Sequence, residues 1–117
     1  MKLVAAAVAA TIVLSAAAKG EEWGNPYFGR YWMHACTEEA MQPLCYAYIM
    51  GLQGTNEYMT FVAKHPIWCE TAGVTLDQLR LIFLKTLNEE VSRVHEEPAS
   101  GIAILGFMKS FPCRKAH

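Results

Sequence analysis

The chain has 117 residues, with 10 Lys+Arg against 11 Asp+Glu and a formal net charge of −1, which is the size of one small domain. With charge so nearly balanced and no basic stripe, nucleic acid is excluded as an expected partner. Four cysteines in so short a chain make its redox compartment the next question.

The chain opens on a segment that does not belong to the folded protein. Lys2 supplies a positive start, residues 3–14 are almost unbroken apolar, and Ser15-Ala16-Ala17-Ala18 offers the small residues of a cleavage site. This is the layout of a secretory signal peptide, predicted over residues 1–18. The apolar run is shorter than the roughly 20 residues a membrane-spanning helix needs, and no positive cluster follows it. No cysteine stands at its end to carry a lipid. The mature chain is expected to begin at Lys19, to be exported and soluble, and to form one domain over residues 19–117. Removing Lys2 leaves 9 Lys+Arg against 11 Asp+Glu, a net of −2.

Residues 19–24 are polar apart from Trp23 and are expected to be loose. Asn25-Pro26 then reads as a helix start, with Asn as N-cap and Pro at the first helical position. Phe28, Tyr31, Trp32 and Ala35 follow at i, i+3, i+4 and i+7, and this first helix is predicted to end near Ala40. Tyr27, Phe28, Tyr31 and Trp32 are assigned to the core. A second helix is predicted from Pro43 to about Lys64, with Cys45, Ile49, Leu52, Asn56 and Met59 on one face and Tyr48 beside it. Gly51 and Gly54 lie in its middle, where each costs up to ~1 kcal/mol relative to Ala. That cost points to close approach of another backbone, from the last helix or from a second subunit.

Residues 65–73 contain Pro66 and Gly73 and read as a connecting loop. Thr75-Leu76-Asp77-Gln78 is a capping-box pattern that starts a third helix. Its apolar face runs through Leu76, Leu79, Phe83, Leu87 and Val91, broadened by Leu81, Ile82 and Leu84, which implies burial on two sides. Residues 88–97 are polar and acidic and lead to Pro98. A fourth helix over residues 99–111 is apolar nearly all round and slim at Gly101 and Gly106, as expected of the central helix. Phe111-Pro112-Cys113 stops it, before a basic tail of Arg114, Lys115 and His117. No stretch alternates with strand period. The expected fold is all-α, a compact bundle of four to five helices tied by two disulfides.

The cysteines, Cys36, Cys45, Cys69 and Cys113, all lie in the mature part, and an even number in a short exported chain indicates disulfides. Zinc is the weaker reading, because no close C-x-x-C pair exists and the histidines stand at no ligand-like spacing from the cysteines. Spacing alone leaves three connectivities open. Catalysis has little support. No thiol is spare once the cysteines pair, no serine sits in G-x-S-x-G, and no glycine-rich phosphate loop occurs. No cofactor or metal is expected, and the protein is not expected to be an enzyme. His95-Glu96-Glu97 reads as an exposed turn between helices. Trp68 beside Cys69 is either a binding anchor or a ring packed over a disulfide.

The order of these pieces resembles the Rap/Tai family of periplasmic immunity proteins, which protect bacteria from cell-wall amidase effectors delivered by type VI secretion. Trp32-Met33-His34-Ala35-Cys36 is similar to the family's W-L-x-x-C. Cys45-Tyr46-Ala47-Tyr48-Ile49-Met50-Gly51 is similar to C-x-G-Y-I-x-G, with Ala47 where a glycine is usual. Cys69 stands a few residues before Val74-Thr75-Leu76-Asp77-Gln78-Leu79, as in C-x-P-x-x-V-T-x-x-Q-L, although the proline after the cysteine is missing. Residues 95–99 and Phe111-Pro112-Cys113 close the likeness. The resemblance implies a helical, homodimeric inhibitor in the bacterial periplasm that plugs the active-site groove of a peptidoglycan amidase effector with an exposed loop.

The motif residues are structural and do not carry over as contacts. The candidate partner-binding residues are His65, Trp68 and Glu70 in the connecting loop, and Glu89, Glu90, His95, Glu96 and Glu97 in the acidic turn. An acidic turn complements a basic cleft and speeds encounter. Within this reading the preferred pairing is Cys36–Cys45 and Cys69–Cys113, contributing roughly 3 and 4 kcal/mol in the chain-entropy model. The rival class is a periplasmic acid-stress chaperone, also exported and disulfide-tied, which binds many unfolded clients rather than one enzyme.

Overall fold

A computed structural model describes residues 22–114. The predicted signal segment, residues 1–18, and the tail beyond Arg114 lie outside the described residues. Four α-helices follow in order: α1 Gly29–Ala35, α2 Gln42–Ala63, α3 Leu76–Glu89 and α4 Ala99–Ser110, with a 3-10 turn at Glu39–Met41. The only strand-like contact among the described residues is an isolated antiparallel bridge between Phe28 and Pro98. The fold is all-α and tied by two disulfides, Cys36–Cys45 and Cys69–Cys113.

The Asn25-Pro26 signal marks a turn rather than the helix start. The Asn25 side chain accepts a hydrogen bond from the Tyr27 amide at 2.9 Å, and the Asn25 carbonyl accepts from Phe28 at 3.0 Å. The Trp32 indole clamps this turn by donating to the Pro26 carbonyl at 2.6 Å. The chain then touches Pro98, and α1 begins only at Gly29. It is also shorter than expected, ending at Ala35, where Cys36 is bonded to Cys45 and the Cys36 carbonyl accepts from the Arg80 guanidinium at 2.9 Å. A side chain from α3 thereby satisfies a backbone group that another helical turn would have used. Tyr27 is exposed, not core. Trp23 is the reverse case: it is buried, edge-on to Tyr31 and stacked on His34.

The bounds of α2 match its pattern, with Pro43 in the first turn and the chain turning at Lys64 through a left-handed φ of 63°. Cys45, Ile49, Leu52 and Asn56 are its buried face. Thr75 and Gln78 form the reciprocal capping box, with bonds of 3.1 and 2.8 Å. At the same end of α3, Arg80 and Tyr46 both donate to Asp77, holding its carboxyl below the usual range. That tie between α2 and α3 is in force at neutral pH and is lost as pH falls through the depressed value.

The centre of the bundle is α3, not α4: α3 packs against α1, α2 and α4. Its face is Leu79, Phe83, Thr86 and Leu87, while Leu81 stays exposed. Because α3 ends at Glu89, Val91 swings out to solvent and Val94 takes the buried place expected of it. Tyr48 stacks between Trp32 and Phe83, with centroids at 4.0 and 6.0 Å. Helix α4 approaches α3 closely through Gly106, where an added Cβ would lie 3.0 Å from the Thr86 Cβ. The expected close approach is therefore real, but the residue that provides it is Gly106. At Gly51 and Gly54 an added Cβ would meet nothing within 4 Å, so the last helix does not pack there.

Candidate functional site

The loop that follows α2 is held by one buried asparagine. Asn56 accepts from the amides of Ile67 at 2.6 Å and Trp68 at 3.2 Å, and its Nδ2 donates to the Trp68 carbonyl at 2.9 Å. An amide side chain can serve as both donor and acceptor, so this residue closes the loop onto the helix as a strand partner would. Trp68 is buried and its ring lies 5.0 Å from that of Phe107. Of the two readings of Trp68, the structure favours the packed ring; it braces the loop from within rather than standing out as an anchor. Its indole donates to Glu70 at 3.0 Å, and Glu70 also accepts from Gln53 at 3.2 Å. Finally, the Cys69 amide donates to the Phe111 carbonyl at 2.9 Å beside the Cys69–Cys113 bond.

Residues 67–70 are thus pinned to α2, α4 and the C-terminal segment, while His65 on one side and residues 70–73 on the other remain exposed. Beside residues 71–74 opens a cleft of about 390 Å³, walled by Val74, Leu81, Ile82 and Phe111. It is mostly apolar and open to solvent, and the exposed Leu81 of α3 forms part of its wall. The arrangement is a hydrogen-bonded rim with an apolar recess next to it. No group of three or more His, Cys, Asp or Glu is placed to hold a metal among the described residues.

The acidic turn is built differently and lies elsewhere. Arg93 is its hub, donating to Glu97 at 2.9 and 2.6 Å and to Glu90 at 3.1 Å. Val94 is buried and its carbonyl accepts from the Arg30 amide at 3.2 Å, which fastens the turn to α1. Glu89 lies 3.9 Å from Lys85, and His95 and Glu96 are exposed. Two of the turn's four carboxylates, Glu90 and Glu97, therefore share the single guanidinium of Arg93. The two candidate surfaces sit at opposite ends of the 14-residue α3, about 20 Å apart. The structure does not bring them together.

Sequence reasoning overlooked Asn56 as the loop's anchor, Gln53 and Phe111 as its supports, and Arg93 as the hub of the turn. The available signal was Asn56 itself, the one polar side chain on the predicted buried face of α2. A polar group placed there must find partners, and a returning loop is the nearest supply of them.

The model of the Rap1a immunity proteins matches residues 28–113 of the chain, from the turn before α1 to the last cysteine. No curated protein sequence and no solved structure matches it. The described residues contain no helix long and apolar enough to cross a membrane, and both disulfides fit an oxidising compartment.

Proposed function

This chain belongs to the Rap1a immunity proteins, and from that premise we propose that it is an exported periplasmic inhibitor of a peptidoglycan amidase effector. It binds its effector rather than transforming it, and it works as a homodimer. The loop around residues 65–74 is the inserting element. The observation that carries this reading is the fastening of the loop by Asn56, Trp68 and the Cys69–Cys113 bond. A loop fixed before binding gives up little conformational entropy on entering a groove, which is how rigid inhibitors reach high affinity. His65 and Glu70 stand on its exposed rim. The turn at residues 89–97, a long way from that rim, contributes to the rate of encounter with a basic surface rather than to the plug itself.

The test is capture from native periplasmic and secreted fractions at neutral pH, with the oxidised protein as bait and mass spectrometry as readout. One cell-wall hydrolase held in stoichiometric amount is the expected result. A crowd of unrelated clients that grows as pH falls would contradict it and favour the chaperone class.

A further inference from the structure

The two disulfides stand in different surroundings. Cys36 and Cys45 are completely buried and belong to the core that joins α1 to α2. Cys69 is half-buried and Cys113 is exposed, so solvent reaches the second bond from the Cys113 side. That bond runs from the proposed inserting loop to the segment after α4, across a sequence separation of 44. Among the described residues, one hydrogen bond is the only polar tie beside it between these stretches, from the Cys69 amide to the Phe111 carbonyl at 2.9 Å. The two stretches meet around the apolar recess, with residues 71–74 on one side, Phe111 on another, and Leu81 and Ile82 of α3 between. The backbone bond within residues 71–74 is local, from the Val74 amide to the Thr71 carbonyl at 3.4 Å. Asn56 holds Ile67 and Trp68 whether or not the disulfide is closed. The fully buried side chains end, in chain order, at Phe107. Opening Cys69–Cys113 therefore frees the part of the rim that borders the recess and leaves the core in place.

We propose that Cys69–Cys113 is a reducible latch on the inserting loop. Closed, it holds residues 69–74 against Phe111 in the form that enters the effector's groove; open, it releases them while Cys36–Cys45 keeps the fold. The inference deepens the loop-insertion reading above and rests on it. The reductant is a dithiol. Its first thiolate attacks the exposed Cys113 sulfur, the disulfide breaks, and the Cys69 sulfur leaves and takes up a proton. The second thiol of the reductant then displaces Cys113 from the mixed disulfide. Two thiols remain on this chain, and the reductant carries the disulfide, so two electrons and two protons have moved. After that the loop and the segment after α4 share one hydrogen bond at a part-exposed position, which contributes little net stability. A loop that must be ordered again on binding loses the advantage of being held beforehand. A bond that served stability alone would need no access to solvent, and Cys36–Cys45 shows that this chain buries such a bond.

The experiment titrates the oxidised protein with dithiothreitol, and quenched alkylation with peptide mapping reads which cysteines are free. Helical circular dichroism, amide exchange at Cys69 and affinity for the hydrolase captured by the oxidised protein are followed at each point. The expected result is a window in which Cys69 and Cys113 are alkylated, Cys36 and Cys45 stay protected, and the helical signal is kept. Within it, exchange at Cys69 rises, affinity falls by roughly tenfold or more, and reoxidation restores both. A Cys69→Ser/Cys113→Ser variant should bind as the reduced wild type does and lose its response to dithiothreitol. The wild-type titration decides the matter even where that variant fails to fold. Full affinity with Cys69–Cys113 alone open would overturn the latch and leave the inhibitor reading standing. Affinity lost only when Cys36–Cys45 opens and the helical signal falls would do the same. An oxidised protein that holds no hydrolase would overturn the inhibitor reading and the latch together.

Discussion

Asn56→Ala is expected to lower the folding free energy by about 3 kcal/mol, at about 1 kcal/mol for each of the three hydrogen bonds it makes to Ile67 and Trp68. The loss is large because the deserted partners stay enclosed: Trp68 is buried, and its amide and carbonyl gain no water when the asparagine goes. Chemical denaturation of the wild type and the variant measures the difference directly. The same change should raise amide exchange at Ile67 and Trp68 well above that of the core of α3. A variant as stable as the wild type would mean that the loop holds its shape without Asn56.

Replacing both Cys69 and Cys113 by serine is expected to cost about 4 kcal/mol in the chain-entropy model, for a bond that spans a sequence separation of 44. The shorter Cys36–Cys45 link, with a separation of 9, contributes about 3 kcal/mol by the same reasoning. Access separates the two more sharply than energy does. Cys36 and Cys45 are completely buried, whereas Cys113 is exposed near the end of the described chain. Thiol–disulfide exchange needs an approaching thiolate, so a graded reductant should open Cys69–Cys113 first. Quenched alkylation followed by peptide mapping reads the order. Cys36–Cys45 opening first would show that the α1–α2 corner is looser than its burial implies.

The parts of this fold that were legible in the sequence are those where local chemistry and tertiary packing agree. Helices α2, α3 and α4 fall within a residue or two of their predicted ends, because Pro43, the Thr75–Gln78 capping box and Pro98 each satisfy or exclude backbone bonds locally. The preferred disulfide pairing is the one found. The failures lie where a distant residue decides. Asn25-Pro26 has the chemistry of a cap, but the Trp32 indole and the bridge to Pro98 make it a turn. Trp23 sits in a polar stretch, and only the fold reveals that it covers Tyr31. Close packing at a glycine is found at Gly106, whose partner Thr86 is 20 residues earlier, whereas the last helix does not reach Gly51 and Gly54, the other positions where such an approach was expected. The connecting loop was legible from its breakers, Pro66 and Gly73, yet the bonds that hold it were not. Those bonds come from Asn56, Gln53 and Phe111, which lie on other elements and carry no loop signature.

The measurement that tests the central claim most directly is inhibition of the captured hydrolase by the wild type and by a His65→Ala/Glu70→Gln double variant. Both positions are on the exposed rim of the loop, and the Gln at position 70 keeps an acceptor for the Trp68 indole. The account predicts that the variant folds as the wild type does and inhibits roughly tenfold less well or worse, which corresponds to about 1.4 kcal/mol of binding. A variant that folds normally and inhibits in full would contradict the assignment of this loop as the inserting element.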